Sequence, residues 1–311
     1  MLSSTAAIEN ITAFPIYSDY FLPFMPTTPT ASKNFTFPLR RRTPATVLRG
    51  IGHALTSPFI AQKTFAVADY QVTVPAQSLI ARQLAKYQAY EPFNSNWLVS
   101  RFVTVDRGLF VDVGANFGWY SLLSASIAPN ATVIALEPSR ENFSLLMQNI
   151  ESNLFTNIIA LNKGAGADSG KASLYVHEQG NPGAHSIRKP VAGLSEEVIS
   201  LEPLDRLLAP YDGQIHLLKI DVEGYEIETL MGAAETLKRT NCILLEYSPS
   251  FLRECGHDPM QLLKVLGLNG FIPHLVRTTG IEPVELHRLE QCDPALSHGK
   301  NWQVDLVFTR P

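Results

Sequence analysis

Cysteine is scarce in this 311-residue chain, with only Cys242, Cys255 and Cys292. Three thiols so far apart exclude a zinc knuckle, a redox CxxC pair and a disulfide framework, so reduced thiols are expected. Charge is sparse too: 17% of residues are Asp, Glu, Lys or Arg, and the formal net charge is -4. That balance lacks the basic footprint of a DNA or bulk RNA binder, and no DNA partner is expected. The basic run Arg40-Arg41-Arg42 is too short to change this and reads as a solvated surface tripeptide. No run is apolar enough for a membrane span, and the N-terminus lacks the basic and apolar regions of a secretory signal, which predicts a cytoplasmic protein.

Regular periodicity is missing from the first fifty residues, which are rich in Ser, Thr, Pro and scattered aromatics. Residues 1–64 are therefore expected to be an irregular, partly disordered extension, and residues 65–311 the folded domain. From Phe65 to Ile80 alternation with Pro75 predicts an edge hairpin, or a short strand leading into a helix. Strand-like Leu109 to Val113 then precedes helix-like Trp119 to Ala128, which Pro129 stops. Thr132 to Leu136 and Asn142 to Ile150 repeat the unit, with Ser139 as N-cap.

Ile158 to Leu161 is a third strand. The glycine- and proline-rich stretch from Gly164 to Gly193, broken by strand-like Ala172 to His177, predicts loops around a hairpin. Ile215 to Ile220, a helix over Ile227 to Arg239 and Cys242 to Glu246 continue the alternation. Asp258-Pro259 caps a helix to Leu266, and Phe271 to Val276 and Gln303 to Phe308 complete seven strands. The order predicts an α/β fold: a doubly wound, mostly parallel seven-stranded sheet, Rossmann-like, with helices on both faces.

The most informative loop is Asp112-Val113-Gly114-Ala115-Asn116-Phe117-Gly118, where the first core strand turns into its helix. Ligands of doubly wound sheets sit outside the strand carboxyl ends, where glycines let backbone approach them. A pyrophosphate-binding G-x-G-x-x-G would need a third glycine, so NAD fits poorly. An acidic residue opening the loop and Asn116 between its glycines suit a phosphate-free zwitterion, such as the methionine end of S-adenosyl-L-methionine. Glu137 closes the second strand where an acid receives ribose hydroxyls. The expected cofactor residues are Asp112, Gly114, Asn116, Gly118 and Glu137. Trp119 and Tyr120 are expected in the core or on the helix surface rather than against adenine.

A second cluster, Lys219-Ile220-Asp221-Val222-Glu223-Gly224-Tyr225-Glu226, follows the fourth strand. Period two puts Lys219 and Asp221 on one side, while Glu226 equally suits a helix N-terminus. VDVGANFG (Val111 to Gly118), Glu137-Pro138 and KIDVEGYE (Lys219 to Glu226) with Gly232 together resemble the FkbM family of S-adenosylmethionine-dependent methyltransferases. Weaker echoes are Tyr90-Glu91 and NPGAHS (Asn181 to Ser186), and the resemblance runs from about Phe65 to Val276. It implies a class I methyltransferase fold and O-methylation of a hydroxyl on a sugar, glycan or natural product.

Methyltransferases acting on amide or adenine nitrogens carry Asn or Asp followed by Pro-Pro and an aromatic after the fourth strand. Asp221-Val222-Glu223-Gly224 differs from that pattern. The expected catalytic residues are Asp221, Glu223 and His185 as candidate bases, with Lys219 holding Asp221 ionised or orienting the acceptor. Glu246 faces the same rim and is a candidate acceptor contact. A magnesium ion on Asp221 with Glu223 or Glu226 is a second version of the mechanism, ranked below a metal-free one. A non-catalytic nucleotide-binding subunit of methyltransferase type and an RNA methyltransferase remain open alternatives.

Overall fold

The computed structural model describes residues 49–50, 52–54, 61–176, 195–277, 280–290 and 303–311. Strands β1 (Gln62–Val67) and β2 (Tyr70–Pro75) form a separate antiparallel hairpin, followed by helices α1 (Leu79–Tyr87) and α2 (Pro92–Phe102). The first strand thus begins at Gln62, ahead of the expected start at Phe65. The core opens with β3 (Leu109–Val113), α3 (Trp119–Ile127), β4 (Thr132–Leu136), α4 (Arg140–Ser152) and β5 (Ile158–Leu161). Then come β6 (Gly164–Ala165), β7 (Gly170–Val176), β8 (Ser195–Glu202), the short α5 (Leu204–Leu207) and β9 (Ile215–Ile220). The chain closes with α6 (Glu226–Met231), α7 (Ala234–Lys238), β10 (Cys242–Tyr247), α8 (Pro249–Glu254), α9 (Pro259–Leu268), β11 (Ile272–Arg277), β12 (Gly280–Pro283), α10 (Leu286–Glu290) and β13 (Val304–Thr309).

The main sheet runs β12-β11-β13-β10-β9-β3-β4-β5. Its five strands from β10 to β5 pair in parallel, and β13 inserts antiparallel between β10 and β11. All seven expected strands are present in a doubly wound α/β sheet. An eighth is added because β12 folds back on β11 as an edge hairpin. The chain runs outward from β3 through β4 to β5, then restarts at β9 and runs the other way. That reversal opens a crevice beyond the carboxyl ends of β3 and β9.

Alternate residues feed two cores. Phe110, Leu217, Leu244 and Val307 pack beneath α2 and α3, while Val111, Leu218, Leu245 and Leu306 belong to the opposite core. Burial of both faces explains why these strands read as apolar runs. It also makes the charges within them informative: Asp112 and Lys219 face each other across the β3/β9 register, on the α2/α3 side.

Three local expectations change. The helix expected over Ile227 to Arg239 is broken between α6 and α7. A Cβ on Gly232 would lie 2.1 Å from the Gly166 carbonyl, and the Asp205 carboxylate accepts the N–H groups of Glu235 and Thr236, capping a new helix start. Ser139 stands at the N-cap of α4 but its side chain makes no cap bond; Glu197 accepts from the Arg140 N–H instead. From the segment expected to be loops around a hairpin, Gly164–Ala165 and Gly170–Val176 join the polar strand Ser195–Glu202 that follows it in a three-stranded sheet, β6-β8-β7, with Ser195–Glu202 in the middle. Residues 177–193 of that segment, His185 among them, lie outside the described residues. Asp258 does cap α9 as expected, accepting from the Met260 N–H at 3.0 Å.

Candidate active site

A cleft of about 630 Å³, counted out to its open mouth, lies at the β3/β9 reversal. Val113, Gly114, Asn116 and Glu137 line one side, Asp221 and Glu223 another, and Leu174, Gly164 and Ala165 form a wall from the small sheet. The two clusters singled out in the sequence therefore meet at one opening.

Gly114 is required by the close approach of two strand ends. Its φ is +77°, and a Cβ there would lie 2.0 Å from the Asp221 carbonyl oxygen. Asn116 and Glu223, both on the cleft, hold φ of 53° and 54°, left-handed values that non-glycine residues rarely adopt. Gly118 ends the turn at φ +90° and starts α3.

Glu137 is buried, and both carboxylate oxygens accept backbone N–H groups, from Asn116 at 2.8 Å and Ser139 at 2.9 Å. Burial pushes its carboxyl up to about 7 despite those bonds, which pull the other way. Asp112 stands just behind the cleft lining. Ser121 donates to its Oδ2 at 2.7 Å, while its buried Oδ1 has no hydrogen-bond partner among the described residues and lies 3.7 Å from the Lys219 ammonium. Burial raises the Asp112 carboxyl, and Lys219 opposes that. Asn116 Oδ1 is likewise buried without a hydrogen-bond partner among the described residues.

Lys219 is buried between two carboxylates, Asp112 and Asp221, with Asp221 Oδ2 at 3.2 Å, and it lies 5.1 Å from the centre of the Tyr120 ring. Burial alone would lower the ammonium, but Asp221, Asp112 and Glu91 outweigh it and hold Lys219 above its ordinary range. Trp119 and Tyr120 are core residues, as expected. Trp119 Nε1 donates to Ser95 Oγ, and the Tyr120 hydroxyl donates to Glu91 Oε2.

Carboxylate oxygens of Asp221, Glu223 and Glu246 all lie within 4.8 Å of one another. Glu226 is not among them: its Oε1 accepts from the Gly224 N–H at 3.0 Å and holds the turn after β9. That corrects the expectation of Glu226 as a magnesium ligand. Burial pushes the Glu226 carboxyl up to about 7.

Residues that the sequence reading did not assign extend the rim. Glu91, at φ 43°, precedes α2, and Asn94 Nδ2 donates both to Glu91 Oε2 at 3.2 Å and to Asp305 Oδ2 at 2.7 Å. Asp305 was legible as an acid inside the apolar run Val304 to Phe308, and Glu91 only in the weak Tyr90-Glu91 echo.

The "Methyltransferase FkbM domain" model matches residues 112–273, which hold every residue lining the cleft but not the rim residues Glu91, Asn94 and Asp305. Methyltransferase 1 of Beauveria bassiana is 27% identical over 146 residues, covering 41% of this chain and 59% of that protein. Hexuronic acid methyltransferase AglP of Haloferax volcanii is 26% identical over 155 residues, covering 50% and 59%. The chain thus spans about three-fifths of the length of these two relatives. Among solved structures, precorrin-6y C5,15-methyltransferase of Geobacter metallireducens superposes with a TM-score of 0.39 at 12% identity, over 71% of this chain and 88% of that one. None of these comparisons speaks for magnesium. With more than half its length matched and both motif clusters inside the matched stretch, the chain belongs to the FkbM methyltransferase domain family.

Proposed function

We propose that the protein is an S-adenosylmethionine-dependent O-methyltransferase acting on a hydroxyl of a sugar, glycan or natural product. The observation that carries this reading is the cleft at the β3/β9 reversal, with a buried carboxyl at one end and a carboxylate rim at the other. The residues present fit the cofactor. Glu137 offers a carboxylate for ribose hydroxyls, and Gly114 and Gly118 keep the loop close without side chains in the way. Asn116 Oδ1, buried on the cleft without a hydrogen-bond partner among the described residues, is an acceptor suited to a ligand that brings N–H donors, and Asp112 backs it with a carboxylate paired to Lys219. When bound, S-adenosylmethionine supplies an activated methyl group, whose bond to sulfur breaks with its electron pair left on sulfur.

The protein's own task is then alignment, exclusion of water and handling of the acceptor's proton. Lys219 is ion-paired with Asp221 at 3.2 Å, and the rim can orient an acceptor through its hydroxyl groups. Among the described residues, Asp221, Asp112 and Glu91 act on the ammonium of Lys219, Glu223 and Glu246 lie beside Asp221, and the other lysine of the cleft, Lys163, is paired with Glu202. An excess of negative charge disfavours polyphosphate acceptors such as RNA and favours an uncharged polyhydroxyl compound over an acidic one.

The test is transfer of tritiated methyl from S-adenosylmethionine to a panel of neutral methyl glycosides, the corresponding uronides, and short RNA. Label is expected on neutral glycoside oxygens. Label on RNA or on nitrogen, or an inability to bind S-adenosylmethionine, would overturn the assignment.

A further inference from the structure

We propose that Glu246 takes the proton from the acceptor hydroxyl, and that Asp305, opposite it on β13, is the positioning residue that makes it able to do so. The inference rests on the methyl-transfer reading above. In the step, the hydroxyl O–H bond breaks and its proton passes to a Glu246 carboxylate oxygen. A lone pair of the acceptor's oxygen forms the bond to the methyl carbon as the carbon–sulfur bond breaks with its pair left on sulfur, and the proton afterwards leaves Glu246 for solvent.

Strand register places the two groups. Glu246 and Asp305 are direct partners in the antiparallel β10/β13 pairing, and both project on the α2/α3 face with Leu244 and Val307. Directly opposed side chains leave their Cβ atoms roughly 5 Å apart. On the other side, the parallel pairing of Leu245 with Ile220 carries Glu246 alongside Asp221 one residue further on. Asp221 is already engaged in an ion pair with Lys219 at 3.2 Å.

Glu246 has no cation of its own among the described residues. Gln303 Nε2 donates to its Oε1 at 2.8 Å, and its other charged or titratable neighbours are acids. These are Asp221 and Glu223 after β9, Asp305 on β13, and Tyr90 and Glu91 ahead of α2; Lys219 reaches Asp112 and Asp221. Tyr120 of α3 is bonded to Glu91. Asn94 fixes Asp305 by donating to its Oδ2. Directly opposed carboxyl groups in such surroundings disfavour simultaneous ionisation. Burial and the acids around it hold Glu246 well above the ordinary carboxylate range, and burial with Glu91 nearby pushes Asp305 up to about 8. A base of raised proton affinity is the kind that accepts a hydroxyl proton efficiently.

The first experiment needs no acceptor. Full-length protein carrying carbon-13 at glutamate carboxyls is loaded with S-adenosylhomocysteine and titrated by NMR. The Glu246 signal is assigned by its loss in Glu246→Gln, or in Glu246→Asp if the first variant does not fold. Glu246 should sense two separated proton losses, the upper one far above ordinary glutamate, and Asp305→Asn should leave a single step at lower pH. Glu246 titrating in the ordinary range, or unmoved by Asp305→Asn, would overturn the proposal even where no tested glycoside is a substrate. Failure of S-adenosylhomocysteine to bind would instead sink the methyl-transfer reading.

With a methylated glycoside in hand, Glu246→Gln should lose about 100-fold or more in kcat, with cofactor affinity within about twofold. Asp305→Asn should keep turnover but shift the pH profile. Near-normal turnover in Glu246→Gln beside a crippled Asp221→Asn would return the base to Asp221.

Discussion

Lowering the pH should weaken cofactor binding, because Glu137 takes up a proton in the empty cleft. Burial lifts its carboxyl to about 7, while the proposed ribose contact uses the ionised form as acceptor. For a ligand that binds only that form, the apparent Kd rises by a factor of 1 + 10^(7−pH): about 11 at pH 6, about 2 at pH 7 and about 1.1 at pH 8. S-adenosylhomocysteine should therefore bind about tenfold more weakly at pH 6 than at pH 8, or about 1.4 kcal/mol. Isothermal titration calorimetry in buffers of different ionisation enthalpy reads both the affinity and the proton released, which should approach one per site at pH 6 and vanish by pH 8. Glu137→Gln removes the titrating group. Its affinity at pH 8 should fall by roughly 1.5–3 kcal/mol with the charge-assisted bonds, and this part of its pH dependence should disappear. The comparison with the amide variant cancels any titration of the ligand itself. Identical pH profiles for the two proteins would show that Glu137 does not titrate on binding.

Stability should follow pH in the opposite sense. Glu137 and Glu226 have folded values near 7, above their ordinary 4.5, so the folded state binds more protons and stability falls as pH rises from about 4.5 to 7. Between pH 5.5 and 8 the upper bound is about 2 kcal/mol per group, read as a drop in the urea midpoint of ligand-free protein, and Glu137→Gln should flatten part of that slope. Gly114→Ala should lose at least the roughly 1–2 kcal/mol of left-handed strain, and more for the contact with the Asp221 carbonyl, together with cofactor binding. Gly170→Ala, with nothing within 4 Å of the added Cβ, should stay within about 0.5 kcal/mol by thermal unfolding. Asn149→Ala should cost about 2–4 kcal/mol in urea unfolding. The buried amide accepts from the Thr73 N–H and donates to the carbonyls of Thr73 and Phe117, tying the β1/β2 hairpin to the cofactor loop.

Local signals made much of this fold legible. Parallel strands buried on both faces leave apolar runs, and all seven expected strands were found; the polar edge strand β12 and the amphipathic β8 have no such signature. The break between α6 and α7 was invisible because it depends on Gly166 and Asp205, distant in sequence. In the site, Gly114, Asn116, Glu137, Asp221 and Glu223 were readable because each follows a strand end in a recognisable cluster. Tertiary pairing alone brings the rest together: Asn94 reaches Asp305 across 211 positions, and only the β10/β13 register sets that acid opposite Glu246. His185 lies outside the described residues, so its expected role as a base rests on the sequence.

The most direct measurement is a crystal structure of the full chain with S-adenosylhomocysteine. Density in the β3/β9 cleft, with the ribose on Glu137 and the sulfur directed toward the rim of Asp221, Glu223 and Glu246, is the expected result. A ligand bound elsewhere, or an empty cleft at saturating ligand, would contradict the proposed cofactor site and the methyl transfer built on it.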